Sequence, residues 1–446
     1  MEWDNRAILR LIWPLVIEQM LLVTMGIVDT LMVSSVGEYA VSGVSIVDTI
    51  NLLLITLFGS LATGGAVVTS QYIGRGDYPN ARKAARQLVY AGLAVSLTVM
   101  AAALILRDQI LALIYGHIDR DVMRAARTYF FITALSYPFL ALYSAGAALF
   151  RSMGNSRITM LVSLAVNIVN IAGNAIFIFV FRIGVAGAAL STLLSCAAAS
   201  WILMGMLLSR RKALPLNLLG FFKFRVEPAM IRTILGIGIP GGLEASMVQL
   251  GKLCTSRLLA GFGSYAIAAN AVCMMINSAA FMPTSAFGLG MITIVGQYVG
   301  AGDYVKARGK VVTLMKMAYT LIIGISIITY VFRNPLLRLF NLSPEAQALS
   351  LQYLWILCLI NPLVWPVSSC LPNALRAAGD ARYCLAAGAS SMWVLRVSSA
   401  FLLSLVFKMG PMGVYWAMVA DWFARSFLFY RRWLGGRWQE KRVIRD

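Results

Sequence analysis

Residues 71–82 read QYIGRGDYPNAR, and residues 297–308 read QYVGAGDYVKAR. Eight of the twelve positions are identical at an offset of 226 residues. Moving outward, the same offset pairs Pro14 with Pro240, Glu18 with Glu244, Gly184 with Gly410 and Gly187 with Gly413. At an offset of 225, RSMGNSR at 151–157 pairs with RAAGDAR at 376–382. Self-similarity at a fixed period means one structural unit used twice. The two Gly-x-Gly-Asp turns resemble phosphate loops only superficially. Each closes an apolar stretch, so a helix C-cap glycine followed by a turn is the better reading.

The repeated unit is a bundle of membrane-spanning helices. Of 446 residues, 60% are hydrophobic and 13% charged, against about 25% charged in a soluble domain. Apolar stretches recur along the whole chain, most of them longer than the roughly 20 residues that cross about 30 Å of hydrocarbon. They are continuous rather than alternating, which selects helices over a barrel as the way to satisfy the backbone without water. The expected spans are 9–34, 43–73, 87–106, 125–150, 158–181, 185–208, 231–260, 267–299, 310–332, 347–375, 383–407 and 411–433. The expected fold is therefore an all-α integral membrane protein of twelve transmembrane helices in two six-helix bundles. An even helix number gives both copies the same orientation, so their pseudo-twofold axis runs along the membrane normal, with a central cleft between lobes. The expected lobes are 1–208 and 231–433, with a cytoplasmic linker at 209–230 and a basic cytoplasmic tail at 434–446.

Lysine and arginine concentrate in the loops after even-numbered spans and in the tail from Arg431. The positive-inside rule then places both termini in the cytoplasm of a multi-pass cell-membrane protein. The opening MEWDNRAILRLIWP has no basic n-region or small-residue cleavage site, so a retained first helix is expected. The formal net charge of +20 would suggest nucleic acid in a soluble protein. Here it is read as basic residues facing anionic lipid head groups, with no nucleic-acid partner. None of the six cysteines forms a CxxC pair, so neither a zinc site nor a disulfide framework is expected.

A charge within the bilayer is costly and marks a functional suspect. Asp29 lies in the first span, with Glu18 nearer its cytoplasmic end; Asp48 lies early in the second, and Glu244 is the repeat partner of Glu18. Asp421 has Arg425 four residues on, which suggests an intrahelical pair. Asn167, Asn170 and Asn174 share one face of the fifth span, as a polar site or as hydrogen-bonding glue between helices. Lys252 sits near mid-membrane in the seventh span, either paired with an acid such as Glu244 or tuning a cavity to admit an anionic group. Glu18, Asp48, Asn167, Glu244 and Lys252 are the candidate substrate-cavity residues. In-span prolines, Pro14 and Pro240 among them, are expected to kink helices. The 22 methionines suit either lipid-facing packing or an adaptable apolar pocket.

Several of these features together resemble the multidrug and toxic compound extrusion (MATE) family of the MOP flippase superfamily. They are the twelve-span repeat, Val28-Asp29-Thr30 in the first span, the paired Gln-Tyr-x-Gly-x-Gly-Asp and Arg-x-x-Gly-x-x-Arg segments, and GVAGAALST at 184–192. The resemblance covers essentially the whole chain. It implies export of small cationic or amphipathic compounds in exchange for H⁺ or Na⁺, by a chain expected to be monomeric and to need no cofactor beyond the coupling ion. It also implies a cation site in the N-terminal lobe at Asp29, Asn170, Asn174 and Thr192. Asn174 stands where some members carry aspartate, which leaves one carboxylate in that set. A second site used by other members falls here on Val248 and Trp365, which cannot serve it. The repeat partners of the N-lobe set are Thr255, Arg396, Ala400 and Met418, which cannot build a second copy. Withdrawal from water favours protonation of a carboxyl, while four oxygen ligands would suit Na⁺, by extension from other hard cations; the residues do not choose.

The alternatives are a flippase for a lipid-linked molecule, which would be expected to show a strongly basic central cavity, an exporter of a specific metabolite, and a membrane enzyme. Against an enzyme, the single histidine, His117, lies near Asp119 and Asp121 without a metal-ligand cluster or nucleophile motif. No GxxxxGK[ST] loop is present to power a primary pump.

Overall fold

The computed structural model describes residues 2–116, 119–209, 215–218, 220–340 and 342–444; His117 lies outside the described residues. Among the described residues every regular element is helical: α1 Asn5–Ser34, α2 Glu38–Arg75, α3 Tyr78–Ile105, α4 Arg107–Tyr115, α5 Arg120–Leu135, α6 Tyr137–Ser152, α7 Ser156–Asn174 and α8 Val185–Leu208. There follow α9 Pro228–Ala260, α10 Ser264–Phe281, α11 Ser285–Gly300, α12 Tyr304–Val331, α13 Arg333–Arg338, α14 Pro344–Ser369, α15 Leu371–Ala377, α16 Ala381–Ser390, α17 Ser398–Phe401 and α18 Pro411–Leu434. Nine helical runs among the described residues are long and apolar enough to cross a membrane, and the pair α5–α6, bent by 49°, makes ten. The two remaining expected spans are α9 and α18, of 33 and 24 residues. Both are long enough at 1.5 Å per residue, but they carry Glu244, Lys252 and Arg257, and Asp421 and Arg425, inside their apolar stretches.

The repeat is visible in how helices stop and start. Each QYxGxGDY segment ends a helix on a left-handed glycine, Gly76 at φ +80° and Gly302 at φ +77°. The next helix then opens on an aspartate cap: Asp77 accepts from the Asn80 N–H at 3.1 Å, and Asp303 from the Lys306 N–H at 2.9 Å. Glycine at C′ and aspartate at N-cap are the residues those two backbone conformations call for. Farther on, α7 loosens into π-helical turns at Ala175–Val180, and α17 does the same at Leu402–Val406. Each is followed by a non-glycine residue of positive φ, Arg182 at +54° and Lys408 at +56°.

The chain divides into two compact units, Glu2–Gly242 and Leu243–Asp446. The division falls within α9, because the first half of that helix packs tightly on α2. A Cβ placed on Gly64 would lie 2.5 Å from the Ile234 carbonyl oxygen and 2.9 Å from the Gly238 nitrogen. In the first unit α7 packs on α1 and α8, and α2 on α5 and α6. In the second, α14 packs on α10, α12 and α18.

Each unit holds a buried ion pair at repeat-related positions. Glu18 on α1 takes Arg151 Nη1 at 3.0 Å and the Thr159 hydroxyl at 2.7 Å. Glu244 on α9 takes Arg376 Nη2 at 2.6 Å. The arginines are the first residues of the paired Arg-x-x-Gly-x-x-Arg segments. Gly388 makes room for the second pair, since a Cβ there would come within 2.7 Å of Glu244 Oε1. Removing one partner of such a pair strands the other charge, at about 3–5 kcal/mol. Glu244→Leu is therefore expected to lower the thermal midpoint sharply, and Glu244→Leu with Arg376→Met to restore most of it; equal midpoints for the single and double variants would contradict this account.

Candidate coupling site

The polar cluster of the first unit forms where α1, α2, α5, α7 and α8 place side chains at membrane depth. On α7 the stripe read from sequence is buried: Asn167 is 5%, Asn170 0% and Asn174 1% exposed. Asn174 Nδ2 donates to Asp29 Oδ1 on α1 at 2.5 Å and to Asn170 Oδ1 at 3.2 Å. Buried asparagines normally satisfy both amide atoms. Here, among the described residues, Asn174 Oδ1 and Asn170 Nδ2 are buried without hydrogen-bond partners. An unused buried amide oxygen beside a carboxylate is the donor type that a hard cation or a donated proton would meet.

Thr192 joins this group indirectly. Its hydroxyl donates to the Ala188 carbonyl at 3.1 Å along α8 and also interacts with the Tyr129 hydroxyl from α5. Tyr129 in turn lies beside Asp48 on α2, and Asp48 lies within electrostatic reach of Asp29. Asp48 also accepts from Asn51 Nδ2 at 3.4 Å, and Asn51 accepts from the Tyr137 hydroxyl at 3.0 Å. The site therefore has two carboxylates where the aligned set Asp29, Asn170, Asn174 and Thr192 contains one, and Tyr129 links its halves. Sequence reasoning did not find Tyr129, which sits in the unpatterned run TYFF.

The other candidates lie elsewhere. Asn167 donates to the Ser163 carbonyl of its own helix at 2.8 Å. Glu18 and Glu244 are engaged in the buried ion pairs described above. Lys252 does not pair with Glu244; among the described residues its side chain has no ion-pair or hydrogen-bond partner. The expected pair on α18 is present, with Arg425 Nη2 3.2 Å from Asp421 Oδ1. Arg396, which the repeat matches to Asn170, occupies a π-helical segment at Ser391–Val397 and lies 3.8 Å from Asp421.

Comparison with known proteins agrees with the internal repeat. A family profile described as MatE matches residues 14–176 and again 240–402, two segments related by the offset seen in the sequence. The uncharacterized transporter YisQ of Bacillus subtilis is 27% identical over 98% of this chain and 95% of its own. A probable multidrug resistance protein NorM of Thermotoga maritima is 24% identical over 99% of this chain and 94% of its own. Among solved structures, a MOP superfamily transporter from Pyrococcus furiosus is described as having a binding pocket of reverse polarity that suggests a different function. It superposes with a TM-score of 0.90 over 98% of this chain and 97% of that one, at 19% identity. A MATE crystal structure in the bent conformation gives 0.88 over 97% and 94%, also at 19% identity.

The register of α7 against α8 depends on one small residue. A Cβ on Gly173 would lie 2.5 Å from Ser191 Oγ and 3.1 Å from Ser191 Cβ, and that hydroxyl donates to the Asn170 carbonyl at 2.6 Å. Gly173→Ala should force the helices apart at a cost of about 1–3 kcal/mol, seen as a lower thermal midpoint. Adding Ser191→Gly should recover it; a midpoint unmoved by Gly173→Ala would show that this contact does not set the register.

Proposed function

We propose that this chain, which belongs to the MatE family, is a secondary active antiporter that exports small organic, cationic or amphipathic compounds in exchange for H⁺ or Na⁺ by alternating access. Membership of that family makes it a multi-pass membrane transporter rather than an enzyme. The ion, the solute class and the residues are our reading. The relatives described as probable multidrug resistance proteins support drug-like solutes, while the Pyrococcus furiosus transporter shows that pocket polarity can differ within the superfamily. We place the protein in the cell membrane with both termini cytoplasmic, from the distribution of its basic loops, and propose that it works as a monomer.

The observation that carries the reading is the Asp29–Asn174–Asn170 chain with its unused amide oxygen. Two carboxylates in one small site repel each other when both are ionised, and either a proton or a sodium ion relieves that repulsion. Asp29 Oδ2, the amide oxygens of Asn170 and Asn174, and the Thr192 hydroxyl are the atoms that would hold the ion. Asp48 and Tyr129 would sense its arrival. Because α1 and α2 bring the acids while α7 and α8 bring the amides and hydroxyl, loading the site draws α1 against α7. In the proposed cycle the outward-facing protein takes up the cation at Asp29, α1 moves, and solute leaves on the outer side. The cation-loaded form turns inward, discharges the ion and takes up solute again. A ligand can drive such a cycle only through different affinities for the two states, and a site with unsatisfied groups supplies that difference.

In proteoliposomes loaded with a fluorescent cationic dye, an imposed pH or Na⁺ gradient should drive dye movement. Asp29→Asn should abolish gradient dependence while leaving the folded protein's thermal midpoint within a few degrees. Full gradient-driven export by a folded Asp29→Asn protein would overturn the assignment.

A further inference from the structure

The second unit has the opposite intramembrane polarity. Three cations, Lys252, Arg396 and Arg425, lie around one acid, Asp421, which is fully buried. Arg425 is well provided for: it meets Asp421 Oδ1 at 3.2 Å, Ser391 Oγ at 3.3 Å and the Gly388 carbonyl at 3.5 Å. Elsewhere in this unit, Arg376 and Arg432 each meet a carboxylate at 2.6 Å. Arg396 is different. It is only 9% exposed and its nearest carboxylate oxygen is 3.8 Å away, against 2.6 Å for Arg376; among the described residues its Nε is buried without a hydrogen-bond partner, as is that of Arg376. Lys252 is solvent-accessible and has no ion-pair or hydrogen-bond partner among the described residues, yet it lies within electrostatic reach of Arg396, Arg425 and Asp421. The adjacent Gly251 packs closely on the Met392 side chain of the Arg396 segment, where a Cβ would clash. Beside Asp421, Trp422 packs edge-on against Trp365 at 5.4 Å.

We propose that Lys252 and Arg396 form an oxyanion site in the second unit, which receives the carboxylate, sulfate or phosphate of an amphipathic solute. This rests on the transporter reading and narrows its solute class to amphipaths that carry an anionic group, zwitterions included. A net positive cluster at membrane depth is costly unless an anion meets it. A guanidinium with a free Nε and a nearby ammonium suit an oxyanion: the first offers a directed N–H, the second a point charge.

The test is equilibrium binding by fluorescence polarisation, with full-length protein in maltoside micelles and no ion gradient. The probes are a cationic rhodamine ester and its free acid, which differ by one ionised carboxylate. The acid should bind about tenfold more tightly than the ester, the size of one charge-assisted hydrogen bond. Lys252→Met should remove that preference without weakening the ester, and Lys252→Arg should keep it. Asp29→Asn should leave it unchanged, so failure of the coupling assignment and failure of this one are separable. Adding phosphatidylglycerol identifies the source: loss of the acid's advantage assigns the site to a lipid head group, and persistence assigns it to a solute. Equal affinities for the two probes, or a Lys252→Met protein that weakens both alike, would overturn the proposal.

Discussion

A main chain crossing hydrocarbon has nowhere to send its N–H and C=O groups except to itself. Everything else in this molecule follows from that constraint. It forces helices of 24–38 residues such as α1, α2 and α9, and it confines irregular backbone to a few repeated devices. The left-handed glycines at 76 and 302, with an aspartate cap beside each, turn the chain sharply while wasting few hydrogen bonds. The π-helical turns before Arg182 and Lys408 do the same where α7 and α17 end. A non-glycine residue at positive φ costs about 1 kcal/mol, and this chain accepts that cost at two positions related by the repeat.

Side chains obey a parallel constraint, since a charge taken into the membrane must find its opposite. The Glu18–Arg151 and Glu244–Arg376 pairs do so at 3.0 and 2.6 Å, each tying a long helix to an arginine that lies just before a left-handed glycine turn. These pairs belong to the scaffold, and the repeat retains them. At the centres of the two units the repeat diverges. Asp29 is matched by Thr255, Asn170 by Arg396, Asn174 by Ala400 and Thr192 by Met418. At these four positions the second unit keeps no acid or amide and places one cation, Arg396.

The sequence made the scaffold legible because spans, caps and repeats are local or periodic signals. Asp29, Asn170 and Asn174 were legible for the same reason: an intramembrane acid stands out, and three asparagines at helical spacing share a face. Tyr129 was hidden because its meeting with Asp48 and Thr192 joins three helices far apart in sequence, and an apolar run gives no hint of it. The true partner of Glu244 was hidden as well. Lys252 is eight residues further along α9, about 12 Å of rise, so one side chain cannot reach the other, while Arg376 arrives from α15. The charges that hid α9 and α18 from a test of apolarity are the ones that build the second unit's polar cluster.

That contrast separates what holds the protein together from what can drive it. A satisfied ion pair contributes alike to any two states that both keep it, so it cannot bias one over the other. Only a group with unmet capacity changes its free energy when a ligand arrives. Judged this way, Glu18, Glu244, Arg151 and Arg376 are fixed points. On the reading proposed above, Asp29 with the unpaired oxygen of Asn174, and Lys252 with Arg396, whose nearest carboxylate is 3.8 Å away, are where binding would act. The two have opposite sign, which suits the first to the proposed cation and the second to the proposed oxyanion. Within each unit, a ligand of the matching charge would not compete with the ion pairs on which the helices rest.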